Sequence, residues 1–117
     1  MLKKENRLKT TYEFNKARRL GGMYDATYFR IYFLDVSQHQ SDKKPKVGIV
    51  VSNKFSKVAA QRNRVKRVFR EVIRLNFDNI KEGYWIVIHP RPNSLEKGYE
   101  EINADFTKVL QKVPFSR

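Results

Sequence analysis

Arg62-Asn63-Arg64-Val65-Lys66-Arg67-Val68-Phe69-Arg70 is a block of cations written in helical register. Continued to Val72 and Ile73, its apolar residues Val65, Val68 and Phe69 fall at i, i+3, i+4, i+7 and i+8, one face of an α-helix. At about 100° per residue, Lys66, Arg67, Arg70 and Arg74 gather opposite that face, Arg62 takes one edge, and Asn63 sits within the cationic arc. Such a helix has one side to bury and one side that attracts a polyanion. Guanidinium forks match phosphate oxygens bidentately and stay charged at physiological pH. Between Lys54 and Arg74 only Glu71 is acidic, so little of the self-repulsion is relieved within the helix. Most charge runs are simply solvated faces, but an unrelieved one points to an external anion, here a nucleic acid.

Outward from this helix, expected over about Ala59 to Phe77, the chain reads as small elements. Thr10 and Glu13 form a capping-box pattern that starts a short helix over Thr11 to Arg19, ending near Gly21-Gly22. Tyr28 to Val36 alternates as a strand, with Phe29, Ile31 and Phe33 on one side and Tyr28, Arg30 and Tyr32 on the other. Ser37 to Lys44 is polar and reads as a hairpin loop. Val47 to Ser52 is β-branched and reads as a central strand. Asp78 to Gly83 reads as a turn. Trp85-Ile86-Val87-Ile88 reads as a buried strand ended by Pro90 and Pro92. A last helix from near Ser94 carries Leu95, Tyr99, Ile102, Phe106, Val109 and Leu110 on one stripe. The order is α-β-β-α-β-α, an α+β fold with helices packed on one small sheet. There is no internal repeat or linker, so residues 1–117 read as a single RNA-binding domain.

Charge distribution supports the nucleic-acid reading. Of the 117 residues, 25 are Lys or Arg and 12 are Asp or Glu. Residues 1–74 hold 19 of the basic and 6 of the acidic residues, while 75–117 hold 6 of each. All the excess lies where the basic helix lies, which solubility alone does not require. The chain has no cysteine, which excludes disulfides, thiol nucleophiles and thiolate zinc sites and fits a cytoplasmic protein. No apolar run approaches the roughly 20 residues of a membrane span, and no apolar segment follows the basic N-terminus, so neither a membrane nor a secretory signal is expected.

Tyr28 and Tyr32 flanking Arg30 on one strand face could stack unpaired bases, with Phe14 of the first helix walling the same groove. The same tyrosines could equally pack under a helix with their hydroxyls in water. His39 and His89 lie in contexts that give no sign of converging on one phosphate, and no carboxylate cluster for two metals is visible. No catalytic side chain is therefore assigned.

Taken in order, several segments resemble the bacterial ribonuclease P protein component. They are Asn6-Arg7-Leu8-Lys9 leading into a helix with Phe14; Phe29 and Tyr32 in the first strand; Lys46-Val47-Gly48-Ile49-Val50-Val51-Ser52-Asn53-Lys54; and Arg62-Asn63-Arg64-Val65-Lys66-Arg67 followed by Arg70. The resemblance spans about residues 2–113. It implies a subunit that joins a large catalytic RNA and promotes removal of the 5′ leader from precursor tRNA. It also implies that the RNA, with its magnesium ions, performs the hydrolysis and that the protein binds no cofactor. The fold implied is ribosomal-protein-like, with a left-handed βαβ crossover through the basic helix. Transferred residue by residue, Lys54, Arg62, Asn63, Arg64, Lys66, Arg67 and Arg70 would face the catalytic RNA. Phe14 and Tyr32 would line a cleft for the single-stranded leader; the strand-face reading adds Tyr28 and Arg30 to it, and Arg18 of this chain adds a cation. This chain departs from the pattern at Arg18, where a second cleft aromatic is usual one turn after Phe14. It departs again at Ser52-Asn53-Lys54, which loses one cation, at Ser56 in place of the usual Gly, and by one residue inserted before Arg62. The expected partners are the catalytic RNA and precursor tRNA, with no obligate protein partner. A free-standing structural RNA binder would share the basic helix but not a preference for precursor over mature tRNA, and a protein-only nuclease would cleave without RNA.

Overall fold

The computed structural model describes residues 3–38 and 44–117. Its helices are α1 (Thr11–Leu20), α2 (Ala59–Asn76) and α3 (Tyr99–Leu110). Its strands are β1 (Gly22–Asp25), β2 (Phe29–Asp35), β3 (Lys46–Ile49) and β4 (Tyr84–Pro90). The sheet order is β1-β2-β4-β3. β1 and β4 run antiparallel to β2, and β3 runs parallel to β4. β3, α2 and β4 therefore form a parallel βαβ unit whose crossover is the basic helix.

Three expectations about the sheet need correction. β1 follows α1 directly and was not anticipated. Its four residues, beginning at Gly22, are too short to show alternation. Ser37 to Lys44 is not a hairpin, because β4 lies between β2 and β3; residues 39–43 fall outside the described residues. β3 is not central but terminal. Val47 is buried all the same, because the N-terminal segment covers the outer edge of the strand. Arg7 forms a parallel bridge with Val47, and the Leu8 N–H donates to the Val47 carbonyl at 3.2 Å. The central position belongs to β4, where Trp85 through Ile88 are all buried.

The sheet has a layer on each face. On one side Phe29, Ile31, Val47, Ile86 and Ile88 meet Val65, Phe69, Val72 and Ile73 of α2 and Ile102, Phe106 and Val109 of α3. Phe29 meets the Phe69 ring edge-to-face, centroids 5.6 Å apart. On the other side Trp85, Val87 and Val36 pack with Leu8 and Ala17, joined by Phe14 and Tyr32. α1 covers this second face. Its start is fixed by the capping box: the Glu13 N–H donates to Thr10 Oγ1 at 3.1 Å, and the Thr10 N–H donates to Glu13 Oε1 at 3.0 Å. The last helix begins at Tyr99, later than the periodicity predicted. Pro92–Ser94 forms a separate 3-10 turn, and the Gly98 N–H donates to Glu101 Oε2 at 2.8 Å at the helix start.

Candidate nucleic-acid interface

The exposed side of α2 is cationic, but its cations are not equivalent. Arg67, Arg70 and Asn63 are exposed on the side turned away from buried Val65, Phe69, Val72 and Ile73. Lys66 is partly buried. Arg62 is tied back by donating from Nη1 to the Ser56 carbonyl at 2.7 Å. Arg64 leans to the other edge, where its Nη1 donates to the Leu95 carbonyl at 2.6 Å and its Nη2 reaches that of Lys97 at 3.5 Å. Arg64 is therefore also a structural tie to the turn before α3, a role that charge patterning did not reveal. Arg74 is paired with Glu71, which holds the guanidinium protonated more firmly and keeps the carboxyl below its usual range. Lys54 is exposed in the loop before α2, where it lines a hollow with Asn53, Lys57 and Arg62.

Phe14, Arg18, Arg30 and Tyr32, the residues expected to form a cleft, lie on the α1 face of the sheet. Period-two geometry puts Tyr32 and Arg30 of β2 on this face, together with Val87 and His89 of β4. In register, Tyr32 pairs with Val87 and Arg30 with His89. From α1, Phe14 lies directly over Gly48 of β3, so closely that a Cβ at position 48 would overlap the ring. One turn later Arg18 reaches His89, with Nη1 and Nε2 3.3 Å apart, and its Nη2 donates to Asn15 Oδ1 at 2.6 Å. The His89 ring meets Tyr32 edge-on at 5.5 Å. Burial, then the charges of Arg18 and Arg30, push the imidazole below its ordinary value. His89 is thus neutral near pH 7, with Nε2 accepting from Arg18. Arg30 is held across the strand pair by Asp25, Nε to Oδ1 at 2.6 Å, and Asp25 also accepts from Arg91 Nη2 at 2.6 Å. The Asp25 carboxylate, then the Tyr32 hydroxyl, raise the proton affinity of Arg30.

Tyr28 leaves this face, contrary to the alternation expected of it. β2 begins only at Phe29, and the Tyr28 N–H is taken by buried Asp105 of α3, donating to Oδ2 at 2.9 Å. Its ring packs against the α2–α3 layer, with Lys97 Nζ 5.8 Å from the centroid. His89 of β4, opposite Arg30, joins Tyr32 on this face. The sequence marked it only as a strand-end histidine, since its partner Arg18 is 71 positions away. His39 lies outside the described residues.

The two surfaces are continuous. Arg70 of α2, Arg7 of the N-terminal segment, Phe14 and Gly48 all line one hollow of about 220 Å³ at the edge of β3. A single polyanion could run from the crest of α2 past Arg70 into the cleft. A family model described as Ribonuclease P matches residues 2–114.

The chain belongs to the ribonuclease P protein family. The ribonuclease P protein component of Pseudanabaena sp. (strain PCC 6903) is 34% identical over 112 residues, covering 96% of this chain and 94% of the relative. That of Clostridium novyi (strain NT) is 34% identical over 111 residues, covering 95% and 96%. Among solved structures, the RNase P protein from Thermotoga maritima in complex with 1-(4-fluorophenyl)-2-thiourea is similar at a TM-score of 0.77 and 27% identity, over 92% of this chain and 99% of that one. The Staphylococcus aureus RNase P protein shares the fold at a TM-score of 0.80 and 22% identity, over 96% and 98%. Family membership makes this chain the protein component of an endoribonuclease, with the ribonuclease P RNA as its partner. Among the described residues no helix is long and apolar enough to cross a membrane, and no group of His, Cys, Asp or Glu is placed to hold a metal ion.

Proposed function

We propose that this chain works as a single RNA-binding domain, residues 1–117, that grips the ribonuclease P RNA with α2 and the leader of precursor tRNA with the α1–sheet cleft. Asn63, Arg67 and Arg70 form the RNA-facing crest. Lys66, Arg62, Arg64 and Lys54 flank it, with Arg62 and Arg64 shared between the RNA and the fold. Phe14, Arg18, Arg30 and Tyr32 hold the leader; Tyr28 supports the sheet instead. The observation that carries this reading is the hollow shared by Arg70 and Phe14, which joins the two surfaces. It suits one continuous nucleic-acid assembly better than an isolated helix face.

The protein contributes charge neutralisation and positioning. Lys and Arg that meet phosphates displace condensed counterions and let two RNAs approach. Holding the leader beside the cleavage point fixes the scissile bond relative to the RNA active site. Hydrolysis and the magnesium ions it needs belong to the RNA. The complex acts in the cytoplasm, without a membrane or an obligate protein partner. The test is reconstitution: purified protein, a bacterial ribonuclease P RNA and precursor tRNA at low magnesium. Processing of the 5′ end only when both components are present is the expected result. Cleavage by the protein without RNA, lost on His89→Ala, would contradict it.

A further inference from the structure

We infer that the cleft holds one phosphodiester of the leader between Arg18 and Arg30, above His89, and does not read the base at that nucleotide. The inference rests on the leader-cleft reading above and specifies its chemistry. Three observations carry it. First, one turn beyond Phe14 the cleft wall is a guanidinium, and that guanidinium is aimed. Arg18 is pinned by Asn15 Oδ1 at 2.6 Å and by His89 Nε2 at 3.3 Å. Second, Arg30 stands beside His89 in the β2–β4 register, so two cations flank an uncharged ring. The carboxylate that pairs with Arg30 among the described residues is Asp25, already shared with Arg91, each at 2.6 Å. Arg18 contacts two neutral acceptors and no carboxylate among the described residues, so the cleft has an uncompensated positive charge.

Third, the acceptors beside these cations are engaged by the guanidiniums. Asn15 Oδ1 and His89 Nε2 accept from Arg18, and Asp25 accepts from Arg30 and Arg91. Each of these acceptors is turned toward a guanidinium, so N–H donors outnumber acceptors in this part of the cleft. What remains is the unused N–H groups of two forks, for which a non-bridging phosphate oxygen is the strongest acceptor on a single strand. Phe14 and Tyr32 supply aromatic surface on either side, and ring stacking tolerates any base. Neutral His89 orients Arg18 and keeps a third full charge out of the site. The depressed proton affinity of its imidazole agrees with that role.

The experiment replaces leader linkages one at a time with neutral methylphosphonate, and leader bases one at a time, in precursor tRNA. Affinity is measured for the wild-type and Arg18→Ala holoenzymes. One linkage is expected to lose about tenfold in affinity with wild type, as for a charge-assisted contact. Arg18→Ala should lose a similar factor with unmodified leader and show no further loss at that linkage. Base changes at the same nucleotide should alter affinity less than about twofold. A flat linkage scan, or a base preference of tenfold that Arg18→Ala erases, overturns the inference. Phe14→Ala and Tyr32→Ala separate this failure from failure of the underlying reading. If they reduce precursor affinity while the scan is flat, only the phosphate clasp falls. If they leave precursor affinity unchanged, the leader cleft and the clasp fall together.

Discussion

At the scale of single residues, the cationic side of α2 separates into charges without a hydrogen bond among the described residues and charges committed to the fold. Arg67 is exposed and has no hydrogen bond among the described residues, whereas Arg64 donates to the Leu95 and Lys97 carbonyls. Arg67→Ala should weaken RNA assembly and leave unfolding within about 0.5 kcal/mol of wild type. Arg64→Ala should weaken assembly and also cost about 1 kcal/mol of stability. Phe69→Ala, in the core, should cost about 3–5 kcal/mol. Denaturant unfolding of the three variants beside RNA-binding titrations checks the order; an Arg67→Ala loss as large as that of Phe69→Ala would mean that the helix faces are misassigned. His89 makes a different prediction. Its folded-state proton affinity lies below the ordinary value, so as pH falls through about 6.5 the unfolded chain takes up the proton first. Stability is full above that pH and declines below it, until folded His89 also protonates. Glu13, Asp25, Asp35 and Glu71 are all held below their usual ranges, so their contributions fade only at more acidic pH. Thermal unfolding at pH 7.5 and pH 5.5 should show a drop for wild type that His89→Gln largely removes; an equal drop in both would exclude His89 as its source.

At the scale of elements, α1 carries the cleft wall, and its capping box sets where that wall begins. Burial works against ionisation of Glu13, but hydrogen bonds from the Lys9 and Thr10 amides and the Thr10 hydroxyl, and the charge of Lys46, outweigh it. Thr10→Ala should cost about 1 kcal/mol and weaken precursor tRNA binding more than ribonuclease P RNA binding, since Phe14 and Arg18 ride on that helix while Arg67 does not. Calorimetry and the two titrations check this; an equal loss for both RNAs would show that α1 does not act separately on the leader. Helices were the elements most legible in the sequence. The span of α2 and the capping box of α1 depend on residues close together in the chain. Strand order was not legible, because it depends on partners far apart. Val47 to Ser52 looked central because it is rich in β-branched residues, yet β3 is terminal and Arg7 and Leu8 cover its outer edge. Tyr28 illustrates the same limit within one element: alternation put it with Tyr32, and Asp105, 77 positions later, takes its N–H and starts the strand one residue on. For the proposed cleft, the sequence named Phe14 and Tyr32 through the family resemblance and Arg18 as a departure from it, and the contact between Arg18 and His89 was not legible.

At the scale of the whole molecule, the net positive charge lies within residues 1–74, which include Arg67 and Arg70 of the α2 crest, Arg7 and Arg70 of the hollow at β3, and Arg18 and Arg30 of the sheet face under α1. Association with the ribonuclease P RNA should therefore be strongly salt-dependent. About six phosphate contacts on duplex-like RNA correspond to a log–log slope of roughly −4 to −5. A slope near zero between dilute and physiological salt would show that these cations are not the contact. The central claim is that the cleft under α1 holds the leader, and mature tRNA has no leader. The most direct test compares holoenzyme affinity for precursor and mature tRNA at one salt concentration, using wild type, Phe14→Ala and Tyr32→Ala. Each substitution should weaken precursor binding by roughly fivefold to a hundredfold, the worth of one stacked ring, and leave mature tRNA nearly unchanged. Equal losses for both tRNAs, or no loss for either, would contradict the account.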